Sequence, residues 1–128
     1  MSRKLSYLII NYAESVEKYD FNGSLESVLK EVIGDSDSFS LDNLSDSLIV
    51  EYARKFLDQS DEVIIICDKF ETSLGSALSL LNSAVKRKNT HLLCVGESRP
   101  LKPFVKMMGG KIFANPAALS KFLETGIN

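Results

Sequence analysis

The fold is decided by residues 62–84, EVIIICDKFETSLGSALSLLNSA. Val63 to Cys67 are apolar without interruption, which a strand with one wet face could not tolerate, so this run reads as a strand buried on both sides. A polar break from Asp68 to Ser73 follows. Leu74, Ala77, Leu78, Leu81 and Val85 then recur at helical spacing. Strand, loop and helix in that order form a unit whose loop stands where α/β proteins keep their chemistry.

The same grammar repeats on either side. Residues 5–10, LSYLII, and 91–96, HLLCVG, are further buried strands, and KIF at 111–113 is a last short one. Leu25, Val28, Leu29, Val32 and Ile33 trace a first helix between Ser24 and Gly34. The most polar stretch, GDSDSFSLDNLSDS at 34–47, alternates only at Phe39 and Leu41, enough for a short edge strand followed by a solvated loop. Leu48, Ile49, Tyr52, Ala53, Phe56 and Leu57 are the expected inner stripe of the next helix, capped by Asp46 or Ser47. A short helix from Pro103 ends at Gly109, and Asn115-Pro116 opens a final helix carrying Leu119, Phe122 and Leu123. Strands without a polar side that alternate with helices imply a parallel sheet covered on both faces. Five such units predict a three-layer, flavodoxin-like α/β domain over residues 1–128, strand order 2-1-3-4-5.

Composition sets the bounds. The 128 residues are 45% hydrophobic and 25% charged, the range of one globular domain large enough to bury a core without staples. A net charge of −2 gives no electrostatic case for nucleic acid. The run Lys86, Arg87, Lys88 falls where a helix ends and suits its dipole, and Arg99, Lys102, Lys106 and Lys111 form the other basic region. No apolar run approaches the length of a membrane helix or a signal segment. Cys67 and Cys94 sit in buried strands and fit a reducing cytoplasm.

Ligands of open parallel sheets bind beyond the carboxyl ends of the strands. Asn11 and Tyr12, then Asp68, Glu71 and Ser73, then Glu97 are the polar candidates there. Asp68 stands where a two-component receiver carries its phosphorylated aspartate, with Ser98 as the following hydroxyl, but Asn11-Tyr12-Ala13-Glu14 lacks the adjacent acids that hold magnesium. A calcium loop beginning at Asp35 fails because Phe39 and Ser40 occupy a ligand and a glycine position, so no metal is expected. NYAES offers no glycine-rich cradle for a phosphate. A sugar-phosphotransferase reading needs a histidine after the first strand, and the single histidine is His91 at the start of a later one.

SYLIINYAES (6–15) and SDSLIVEYARKFLDQSDEVIIICDKFETS (45–73) together resemble TIR domains. The resemblance covers most of residues 5–85 by layout. It implies a homotypic interaction module working largely through the loop after the second strand, here around Phe39 and Leu41, or in some members an enzyme that cleaves the glycosidic bond of NAD. Those enzymes use a glutamate six residues after the serine that ends the loop, and counting from Ser73 reaches Ser79. The similarly folded nucleoside deoxyribosyltransferases place theirs four residues after a glycine, and counting from Gly75 also reaches Ser79. A serine cannot supply the charge that steadies an oxocarbenium-like centre. On the helical wheel Ser79 lies opposite the apolar stripe, as a solvated residue would. The expectation is therefore a cytoplasmic, non-catalytic TIR-like domain that acts through a protein partner or self-association. The alternatives are a nucleotide- or NAD-using enzyme relying on Asp68 or Glu71, with Asn11, Tyr12, Ser73 and Glu97 as binding residues, and a degenerate receiver with Asp68 as acceptor.

Overall fold

The structure is a computed structural model that describes residues 5–12, 29, 34, 37–42, 45–70 and 74–124. In chain order its elements are β1 (Leu5–Asn11), β2 (Asp37–Asp42), α1 (Ser47–Gln59), β3 (Glu62–Cys67), α2 (Ala77–Val85), β4 (Thr90–Val95), a 3-10 turn (Arg99–Leu101), α3 (Lys102–Met108), β5 (Lys111–Phe113) and α4 (Pro116–Glu124). All pairings are parallel and the order is β2-β1-β3-β4-β5, as the apolar runs predict. The first expected helix lies outside the described residues except for Leu29, which is helical and fully buried.

Alternation along the strands divides the core in two. Leu8, Ile10, Ile65, Cys67, Leu92 and Cys94 face the layer of α1, α2 and α3. Ile9, Ile64, Ile66, Leu93 and Val95 face Leu29 and α4, through Leu119 and Leu123. Each large aliphatic side chain removed from water contributes roughly 1.5–3 kcal/mol, which explains why the strands read as unbroken apolar runs. Near the start of β1 the polar Ser6 is fully buried, with its hydroxyl 2.9 Å from that of Ser60. Ser60 spends its own proton on the Phe56 carbonyl at 2.9 Å, so Ser6 donates within the pair and fastens the end of α1 to the sheet.

Helix boundaries follow local chemistry. Asp46 caps α1 by accepting the Ile49 N–H at 3.0 Å. Asn115 does the same for α4, accepting from Ala118 at 2.9 Å with Pro116 in the first turn. Gly109 ends α3 in the left-handed region (φ 63°), and the next amide closes onto the Val105 carbonyl.

Two expected stripes are met in part: Ala53 and Leu57 of α1, and Leu74, Ala77 and Leu81 in and before α2, are buried as expected, and the rest of each stripe is not. The inner face of α1 is Val50, Ala53 and Leu57, whereas Leu48, Ile49 and Tyr52 are 62%, 37% and 53% exposed. In α2 the buried residues are Ala77, Leu80, Leu81 and Ala84, and Leu78 is exposed. In both helices apolar residues cover more than one face. Small alanines at the inner positions let the helix lie close to the sheet and set the phase.

Candidate functional site

The order 2-1-3-4-5 reverses direction between β1 and β3, so the crevice the topology creates opens between their carboxyl ends. Asn11 is the last residue of β1, and the Asp68 N–H bonds the Ile10 carbonyl at 2.9 Å, continuing the ladder one step beyond β3. The alternation puts the Asn11 and Asp68 side chains beside each other on the face of Leu29 and α4. The Asp68 carboxylate is fixed by two backbone donors, Lys69 N–H at 2.8 Å on Oδ1 and Tyr12 N–H at 3.4 Å on Oδ2, so it leans across toward β1. Asn11 is 2% exposed and its Oδ1 has no hydrogen-bond partner. A buried acceptor left unpaired costs about 1–3 kcal/mol.

On the other side of the crevice, Tyr12 meets the Phe70 ring edge-on with centroids 5.4 Å apart. Phe70 is held from below: its N–H donates to the buried Ser98 Oγ at 2.7 Å. Sequence reasoning considers Ser98 only as a phosphoacceptor's companion; its hydroxyl here anchors the loop after β3 to the end of β4. At that end Gly96 adopts φ 76° and donates to the Phe113 carbonyl at 2.6 Å. The Lys69 stem passes 3.2 Å from where a side chain on Gly96 would begin, which fits glycine at this position.

Of the other candidates, Glu97 is exposed at the mouth, and Glu71 and Ser73 lie outside the described residues. Cys67 and Cys94 are register partners on β3 and β4, both buried. The hydrogen bond to Cys94, followed by burial, pushes the Cys67 thiol well above its ordinary range, the reverse of an activated nucleophile. His91 pairs with Glu62 at 2.7 Å across the strand entrances, far from the crevice. Ser79 is exposed on the outer face of α2.

The proposed contact residues separate as well. Leu41 is 5% exposed and belongs to the core, so it presents nothing to a partner, while Phe39 is half-buried and stacks on Phe56 at 5.9 Å. The exposed apolar flank near the β2 edge is instead Leu48, Ile49 and Tyr52 on α1. Of the basic run, Arg87 donates to the Leu57 carbonyl at 2.6 Å and to Asp58 at 2.7 Å, tying the end of α2 to that of α1 beside a cleft of about 130 Å³.

No protein-family model matches the chain, and no curated protein matches it. Among solved structures, the fold is similar to part of a glycoside hydrolase family 3 β-N-acetylglucosaminidase from Paenibacillus sp. str. FPU-7, with a TM-score of 0.61 and 12% identity. The similarity takes in 98% of this chain and 26% of that one, so this chain spans about a quarter of the enzyme's length. At that identity the likeness concerns the fold. Among the described residues, no helix is long and apolar enough to cross a membrane.

Proposed function

We propose that this chain is a non-catalytic contact module, TIR-like in kind, that assembles head to tail with copies of itself in a reducing, cytoplasmic setting. The observation that carries the reading is a segregation of charge. Residues 31–53 contain Glu31, Asp35, Asp37, Asp42, Asp46 and Glu51 and no lysine or arginine; residues 98–123 contain Arg99, Lys102, Lys106, Lys111 and Lys121 and no acid. The fold puts β2 and the start of α1 at one edge of the sheet, and α3, β5 and α4 at the other. Four strand spacings make the edges about 19 Å apart. That exceeds the ~8–10 Å Debye length of ordinary buffers, so each edge presents its own field despite a net charge of only −2.

Each edge also offers apolar contact area. Leu48 and Ile49 accompany the acids, up to the point on α1 where Glu51 pairs with Arg54 at 3.7 Å and Lys55 lies over the Tyr52 ring at 5.8 Å; Met107 and Ile112 accompany the cations, at 59% and 44% exposure. An acidic edge that fits a basic edge elsewhere on the same molecule makes a heterologous contact, which repeats along a row of copies. Ser79, exposed and uncharged where a cleaving enzyme needs an acid, supports a role without glycosidic cleavage. A nucleic-acid partner is not part of the proposal, since the acidic edge opposes one.

Sedimentation velocity from about 10 μM to 1 mM, at low and high salt, tests the reading. Association should strengthen with concentration and weaken with salt. Asp37→Lys with Glu51→Lys, and separately Lys102→Glu with Lys106→Glu, should each abolish it, and mixing the two variants should restore it in alternation. A wild-type chain that stays monomeric throughout, or association that survives both reversals, refutes the proposal.

A further inference from the structure

We infer that the cleft between the ends of α1 and α2 binds a small monocarboxylate through Arg54 and Arg87. The cleft measures about 130 Å³ and is lined by Arg54, Leu57, Asp58, Ser83 and Arg87, each of them among the described residues. An engineered cavity of about 150 Å³ takes up benzene, so this space suits a ligand of roughly four to six heavy atoms. Because α1 leads into β3, the cleft lies at the amino ends of the strands, the opposite pole from the β1/β3 crevice. Solvent reaches both arginine side chains, which are 40% and 22% exposed, so a ligand gains access by displacing water.

The lining is rich in donors and holds one acid. Both Nε atoms are enclosed, so the terminal nitrogens are what a ligand meets. Arg87 is anchored by its Nη1 on Asp58 at 2.7 Å and its Nη2 on the Leu57 carbonyl at 2.6 Å, which leaves a further N–H on each terminal nitrogen of a guanidinium already held in place. Arg54 makes no hydrogen bond among the described residues. Its ion pair with Glu51 spans 3.7 Å, too far for one, so all its terminal N–H groups remain. Ser83 gives its proton to the Ser79 carbonyl at 3.2 Å and offers only lone pairs. An oxyanion is the ligand that this surplus of N–H groups fits. Charge narrows the class. Two guanidiniums against Asp58 leave a single positive charge in the lining, which a carboxylate balances; a tetrahedral dianion, at about −2, overshoots it and faces Asp58. Glu51 and the carboxyl ends of both helices also oppose an anion, which holds binding to the millimolar range.

The decisive experiment titrates the full chain with sodium propionate in place of sodium chloride at constant ionic strength, followed by NMR of the backbone amides and the arginine Nε–H groups, with propionamide as the uncharged analogue and sulfate as the dianion. Propionate should give saturable shifts at the Arg54 and Arg87 Nε–H and at the Asp58 and Ser83 amides, and propionamide should not. Arg54→Gln breaks no hydrogen bond of the fold and should weaken binding about tenfold. Asp58→Asn keeps an acceptor for Arg87 and removes the opposing charge, so it should tighten binding about twofold or more, a response that arginines serving only the fold would not give. The inference is overturned by the absence of saturable shifts up to about 100 mM, by an equal response to propionamide, by sulfate binding more tightly than propionate, by Arg54→Gln binding within about twofold of wild type, or by Asp58→Asn binding no tighter than wild type.

Discussion

Replacing Ser98 by alanine removes one oxygen and should loosen the whole wall of the crevice. Ser98 is 4% exposed and Phe70 2%, so the Phe70 N–H, now 2.7 Å from Ser98 Oγ, would have neither its acceptor nor water. An unmet buried donor costs about 1–3 kcal/mol. Unfolding entropy of about 2.1 cal/mol/K per residue amounts to about 0.27 kcal/mol/K over 128 residues, so 1 kcal/mol corresponds to about 4 °C. Ser98→Ala should therefore melt about 4–11 °C below wild type by circular dichroism. Hydrogen exchange should locate the damage, with the Phe70 amide losing protection beyond the global change. The Tyr12 ring, packed on Phe70, should shift in its aromatic NMR signals as well. A melting change under about 2 °C, with Phe70 protection unaltered, would refute the claim that this hydroxyl holds the loop.

Two further outcomes follow from the local chemistry. The raised Cys67 thiol keeps its proton in the native state where the unfolded thiol loses it, from about pH 8.5 upward. Native protein then binds more protons than unfolded protein, so this contribution is intact below about pH 8.5 and declines above it, by up to about 1.4 kcal/mol per pH unit. The same hydrogen bond lowers the Cys94 thiol, which opposes this slope, so urea titrations between pH 7 and 10 should show the decline in Cys94→Ala, where burial still raises Cys67, and Cys67→Ala on that background should flatten it. Asp46→Ala deletes the α1 cap and should cost about 1 kcal/mol in the same assay, whereas Asp46→Ser should stay within a few tenths.

The strands and their order were legible because burial on both faces writes itself as uninterrupted apolar sequence, as in Leu8-Ile9-Ile10 and Val63 to Cys67. Helix phase was harder. In α1, Leu48, Ile49 and Tyr52 are larger than the Val50 and Ala53 that actually face the sheet, and a periodicity argument weights size. Only the burial of Val50 and Ala53 shows that small residues belong inside. The site divides similarly: Asn11 and Asp68 could be placed from the ends of their strands, but the Ser98–Phe70 bond joins residues 28 apart and no local pattern announces it. The charged edges were written in the sequence as two separate segments, and only the strand order made them opposite.

The strand order also has a consequence for synthesis. β1 lies between β2 and β3, and Leu5 is in register with Glu62, 57 positions later. At about 5–20 residues per second the second neighbour of β1 emerges roughly 3–11 s after it. For those seconds Leu8, Ile9 and Ile10 have at most one flanking strand and no closed core around them. A run of residues that ends fully buried thus waits through that interval in the open. Chaperone dependence of this chain should concentrate in its first half, and variants that delay β3, rather than those that weaken β5, should aggregate on the ribosome.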